Sequence, residues 1–141
     1  MKADYYQLDS RLARDTLEIT SLPLCDVRLM DNRKFPWLVM VPRVAGAREW
    51  IDLDRAQQHQ LSDEIAVLSH ILKALVTPDK LNIATLGNQV AQLHVHVIAR
   101  YQGDPAWPNP VWGGAAEYYK DDQSSRLIYD LKSALDSLQL S

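Results

Sequence analysis

Two histidines separated by a single residue, His94 and His96, follow a glutamine in the stretch Gln92-Leu93-His94-Val95-His96-Val97-Ile98-Ala99-Arg100. Apolar and polar residues alternate there, as in a strand with one covered face. Successive side chains of a strand point to opposite faces. Leu93, Val95 and Val97 then belong to a core. Gln92, His94 and His96 share the other surface, each about 6–7 Å from the next. An imidazole titrates near pH 6.5, so at neutral pH it is mostly neutral and nucleophilic. If one nitrogen is free and the other is bonded to an acceptor, the ring can attack phosphorus and split a difficult transfer into two easier steps. A second imidazole or an amide nearby can hold a phosphate oxygen.

Two other readings stand beside this one. The pair can be exposed strand histidines with no role. It can also be half of a metal site, but zinc wants three or four ligands. The remaining histidines, His59 and His70, lie in a helical stretch about three turns apart, and no carboxylate sits beside the strand pair. The metal reading ranks below catalysis, and no metal ligand or cofactor is assigned.

The elements that must position these side chains can be read around them. Cys25 to Met30 alternates apolar and polar, as a half-buried strand does. Asp31-Asn32-Arg33-Lys34 is a turn. Trp37 to Val41 is a continuous apolar run, a strand covered on both faces and closed by Pro42. Asp54 with Gln57 resembles a capping box. Leu61, Ile65, Leu68, Leu72 and Leu75 then form one stripe on a long helix, which Thr77-Pro78-Asp79 ends. Lys80 to Leu86 is a short strand and Val90 to Ala99 a longer one. Leu127, Leu131, Leu135 and Leu138 mark a second amphipathic helix starting near Ser124. Leu8, Leu12 and Tyr5 suggest a short N-terminal helix. The Pro/Gly/Trp-rich stretch from Gly103 to Gly114 reads as an ordered loop that packs through Trp107, Val111 and Trp112. Trp37 and Trp50 read as core or interface. This order favours an α+β domain with a mostly antiparallel sheet.

Composition narrows the function classes. The chain has 141 residues, 47% hydrophobic and 23% charged, enough for one core and one domain over 1–141. Its single cysteine, Cys25, allows no internal disulfide and no Cys-rich zinc cage. A net charge of −3 and a pI of about 5.7 argue against a nucleic-acid backbone binder. The start, MKADYYQLDS, carries no apolar run, and no stretch approaches a membrane span. A cytoplasmic protein with no membrane partner is expected.

The stretch His94-Val95-His96-Val97-Ile98, preceded by Gln92-Leu93, resembles the His-φ-His-φ-His-φ-φ signature of the histidine triad (HIT) superfamily, where φ is apolar. Gln92 stands where that family has its first histidine. Gly87-Asn88-Gln89-Val90-Ala91-Gln92 is similar to the family's lead-in, and Asp31 to Arg43 to its nucleoside-holding turn and strand. The resemblance implies an α+β HIT-like fold, with a mostly antiparallel sheet of about five strands, one long central helix and a C-terminal helix. It implies His94 as the nucleophile, its tautomer set by the backbone carbonyl of Gln92, and His96 near the phosphate and leaving group. Asn88 and Gln89 fall at the phosphate-facing positions, and Asp31 or Asn32 at the ribose. Arg100 and Trp107 fall on the leaving-group side. The implied activity is hydrolysis or nucleotidyl transfer at an α-phosphate through a nucleotidyl-histidine, by a homodimer without a cofactor. The substrate is then of the diadenosine polyphosphate, nucleoside phosphoramidate or nucleotide-sugar type. A degenerate nucleotide binder with little turnover is the alternative.

Overall fold

The computed structural model describes residues 5–120 and 124–139. Residues 1–4, the beginning of the stretch read above as carrying no apolar run, lie outside it. The elements run α1 (Ser10–Asp15), β1 (Thr16–Ser21), β2 (Cys25–Met30), β3 (Trp37–Pro42), α2 (Arg55–Val76), β4 (Lys80–Ala84), β5 (Val95–Arg100) and α3 (Ser125–Gln139). The five strands form one antiparallel sheet in the order β1-β2-β3-β5-β4. This is the expected α+β architecture. Among the described residues no helix is long and apolar enough to cross a membrane.

The two faces of the sheet are covered differently. Leu38 and Met40 of β3 and Val95, Val97 and Ala99 of β5 join Leu61, Leu68 and Leu72 of α2 and Leu131 and Leu135 of α3 in one core. The alternate residues Trp37, Val39, Val41 and Ile98 face the other way and pack with Leu12, Phe35 and Val111. Both faces of β3 are therefore buried, as its unbroken apolar run requires.

The long helix starts as its sequence demands. Asp54 accepts from the N–H of Gln57 while the Gln57 side chain accepts from the N–H of Asp54. It ends at Thr77, which adopts the left-handed conformation (φ 46°, ψ 60°) ahead of Pro78. Leu75 and Leu138, expected in the apolar stripes, are 38% and 51% exposed. A charged residue lies inside the stripe instead. The carboxylate of buried Glu64 accepts the N–H groups of Leu24 (2.8 Å) and Cys25 (2.9 Å), satisfying the backbone where β2 begins.

Three boundaries differ from the expectation. β1 is an additional strand. A bulge between Glu18 and Thr20 buries Thr16 and Ile19, three apart, so the two-residue period is broken. β4 ends at Ala84, not Leu86, and β5 begins at Val95, not Val90. Residues 85–94 form an irregular segment leading to the histidines.

Candidate active site

β5 lies between β3 and β4, and its register places His96 opposite Val39 on one side and Ala84 on the other. Trp37, Val39, His96 and Ile98 thereby share the face away from α2. His94 and His96 are 6% and 3% exposed, and their rings meet edge to face with centroids 4.9 Å apart. The hydroxyl of Thr85 donates to the carbonyl of His94 (2.8 Å), pinning the residue just before β5 starts.

Each ring has one partner at Nδ1, and the partners are opposite in kind. The backbone carbonyl of Gln92 lies 2.6 Å from Nδ1 of His94. A carbonyl only accepts, so this Nδ1 carries a proton, and in the neutral tautomer the lone pair then lies at Nε2. The indole Nε1–H of Trp37 donates to Nδ1 of His96 (2.9 Å). An indole only donates, so this Nδ1 is bare and Nε2 carries the proton. Burial, reinforced by neighbouring His94, pushes the pKa of His96 down to about 3. The site thus combines one ring whose Nδ1–H is fixed by a carbonyl with a neutral ring whose donor is fixed at Nε2.

Trp112 completes the aromatic setting. Its ring meets His96 at 5.0 Å and Trp37 at 5.6 Å, both edge to face, while the residue remains 40% exposed. Neither Trp37 nor Trp112 stood among the site residues read from sequence. The pairing register shows why: Trp37 reaches the histidines only because its strand neighbours β5.

The Gln92 side chain turns elsewhere. Its Oε1 accepts the N–H of Asp9 (2.8 Å) and its Nε2 donates to the carbonyl of Gln7 (2.9 Å). The residue reaches His94 through its backbone carbonyl.

The remaining sequence-read residues do not gather in one place. Asn32 and Trp107 line a cavity of about 330 Å³ together with Lys34, Phe35 and Trp112. Asn32 is buried, and its Oδ1 accepts from the N–H of Lys34 (3.2 Å) and of Glu117 (3.4 Å). Asp31 accepts from the N–H of Tyr119 (2.9 Å) and does not line this cavity. Asn88 and Gln89 are exposed in the segment before the histidines; Asn88 lines a separate cavity of about 340 Å³ beside Arg48, Trp50 and Leu86.

Arg100 shares the histidines' face but lies four residues beyond His96, about 13 Å along the strand. It is 2% exposed and bonded to Asp104, Asn82 and the carbonyl of Asn109. Burial opposes the charge of Asp104, yet Arg100 and the N–H groups of Tyr101, Ala106 and Trp107 outweigh it and hold the carboxyl well below its usual range. The Arg100 guanidinium also lies over Phe35 (5.6 Å) and Trp107 (5.8 Å). It is the anchor of the loop that carries Trp107 and Trp112. Among the described residues, no group of three or more His, Cys, Asp or Glu is placed to hold a metal ion.

A five-stranded antiparallel sheet backed by two helices, with a His-φ-His pair at the start of an inner strand, defines a histidine triad type of domain. The chain belongs to that family: the HIT domain matches residues 13–103. Similar solved structures include the histidine triad protein of Bradyrhizobium japonicum, at 46% identity and TM-score 0.90, covering 92% of this chain and 98% of that one. A histidine triad protein from Marinobacter aquaeolei VT8 shows 45% identity and TM-score 0.91, covering 95% and 98%. The diadenosine triphosphate hydrolase of Plasmodium falciparum shares the fold at 15% identity and TM-score 0.60, covering 97% and 88%. A search among proteins with curated descriptions finds no significant match.

Proposed function

We propose that the protein binds a nucleotide and cleaves it at the α-phosphate, as a hydrolase or nucleotidyltransferase. One observation carries the reading: the 2.6 Å contact between Gln92 carbonyl and His94 Nδ1 leaves Nε2 free to attack. In the proposed first step the Nε2 lone pair forms a bond to the α-phosphorus. The bond to the leaving group breaks, and its electron pair departs with that group. The imidazole becomes cationic, and the Gln92 carbonyl, still accepting from Nδ1–H, stabilises it. The Nε2–H of His96 donates to a phosphate oxygen. In the second step water forms a P–O bond and gives up a proton to solvent; the N–P bond breaks and its pair returns to Nε2. The products are a nucleoside monophosphate and the leaving group, with the protein unchanged.

The other roles follow within the same proposal. Asn32 is better placed than Asp31 to meet a ribose, because it lines the cavity shared with Trp107 and Trp112. Asn88 and Gln89, exposed before β5, are assigned to the phosphate chain. Trp107 is assigned to the leaving-group side, and Arg100 serves that side by holding the loop. The chain works as one domain over 1–141, in the cytoplasm and as a homodimer. The kinship supports the dimer, and β4 stands at the sheet's edge.

The test is intact mass and released nucleotide after mixing with an adenosine phosphoramidate or diadenosine tetraphosphate. Wild type is expected to gain an adenylyl mass or release AMP, and His94→Ala to do neither. Turnover that survives in His94→Ala would overturn the scheme. A second reading rests on Gln92, whose amide cannot act as an acid: a binder of nucleotide without turnover. It is favoured if both proteins bind AMP and neither releases product.

A further inference from the structure

The first triad position does a different job here from carrying a proton, and the geometry shows what that job is. Residues 90–94 lie outside the sheet. The peptide unit that carries the Gln92 carbonyl is held by the backbone at its other end, where the Leu93 N–H donates to the carbonyl of Ala47 (3.0 Å). Yet its carbonyl alone determines which nitrogen of His94 is free. One bond at the N–H end leaves the plane free to tilt about it, and on the Cα side the side chain of Gln92 is bonded at both of its polar atoms. Its amide donates to Gln7 C=O and accepts from Asp9 N–H, two residues apart in one extended segment. A residue of a neighbouring parallel strand would make this same pair of bonds. A carboxamide fits because its N–H donor and its oxygen acceptor sit side by side. The two nitrogens of an imidazole diverge across the ring and cannot do this with one segment.

The gripped segment is itself fixed. Leu8 and Leu12 pack with Val39 and Val41 on the histidines' side of the sheet. Arg11 pairs with Asp9 (3.1 Å) and donates to the carbonyl of Gln89 (2.8 Å), so the segment crosses to the lead-in loop twice.

We infer that Gln92 is a positioning residue whose carboxamide clamps residues 7–9 and thereby holds its own carbonyl against His94. The inference rests on the reading of His94 as nucleophile only for its effect on rate; its effect on the ring is independent of any substrate. Two perturbations act from opposite ends. Gln92→Glu keeps the length, removes the donor and sets a carboxylate against the Gln7 carbonyl. Asp9→Pro removes the N–H at a residue whose φ of −56° already suits proline. Asp9→Ala is its control, because both changes remove the Asp9 side chain and only proline removes the N–H.

The primary readout is the ¹⁵N signature of the His94 ring in the free full-length protein. Wild type should show a protonated Nδ1 and a bare Nε2. In Gln92→Glu, and in Asp9→Pro relative to Asp9→Ala, the two nitrogens should move toward each other as the tautomers mix. The turnover number should then fall roughly 10- to 100-fold with a smaller change in KM. If Gln92→Glu does not fold, the Asp9 pair decides alone. An unchanged ring signature in the folded variants overturns the inference, whatever the rate. If wild type turns nothing over but the ring loosens as described, the clamp stands and the proposed activity falls.

Discussion

Acidification from about pH 7.5 to pH 5 should destabilise the wild-type fold by about 2 kcal/mol more than it destabilises a His96→Asn variant. The figure follows from where His96 sits. The ring is 3% exposed, its Nδ1 is occupied by the Trp37 indole, and burial pushes its pKa down to about 3. Unfolded, the same imidazole titrates near 6.5. Between those values the unfolded chain binds a proton that the folded chain refuses, so stability falls as pH falls. The contribution is complete above the unfolded pKa and drains away toward pH 3. At pH 5 the unfolded state gains about 1.5 units of protonation free energy, at about 1.4 kcal/mol per unit. The result depends little on the folded value, provided it lies well below 5. Asn at position 96 offers an oxygen near the former Nδ1, so the indole keeps an acceptor while the titration disappears. Urea unfolding at the two pH values gives four free energies, and their double difference isolates this group from all others. A double difference near zero would mean that His96 takes up its proton in the native state. The neutral, fixed donor on which the proposed phosphate contact depends would then be wrong.

Two further perturbations probe the surroundings of that ring. Trp37→Phe keeps the bulk and removes the hydrogen bond to Nδ1 of His96. An orphaned buried acceptor costs about 1–3 kcal/mol, to be read by urea unfolding, and the His96 ¹⁵N signals should shift toward mixed tautomers. Arg100→Met should destabilise by about 3–5 kcal/mol, because Asp104 is left buried without its cation. Hydrogen exchange should then quicken first in residues 101–109, the segment whose backbone Arg100 and Asp104 hold.

Much of this architecture could be read before any coordinates, and the exceptions have physical causes. The capping box, the fully covered β3 and the alternation around His94 all rest on periods of one element, which a sequence displays directly. β1 escaped because its bulge at Glu18–Thr20 destroys the period that would have revealed it. β5 was drawn too long because Val90 to Leu93 carries alternation without ladder pairing; it is anchored by the Gln92 side chain and by a single bond from Leu93 N–H to the Ala47 carbonyl. Glu64 was invisible for a different reason. Its partners lie some forty positions away at Leu24 and Cys25, and no local pattern marks a carboxylate as a cap for another element. Trp37 and Trp112 belong to the same class. Their meeting at His96 depends on which strands are neighbours and on how Arg100 folds the loop back.

The pair of histidines shows how much one strand can decide. Rings two residues apart on one face are chemically identical as free side chains, and the proposed reaction needs them different. One must offer a lone pair at Nε2 and the other a proton at the same atom. No charged group is needed to separate them. The carbonyl of Gln92 can only accept and the indole of Trp37 can only donate, so each forces the opposite tautomer on its ring. The indole, which donates to Nδ1 of His96, also opposes protonation of that ring, which suits a face buried against Val39 and Ile98. A carboxylate in either place would stabilise an imidazolium, which would blunt His94 as a nucleophile. The choice of partner with a single hydrogen-bonding sense is therefore the feature that turns a repeated residue into two complementary functions.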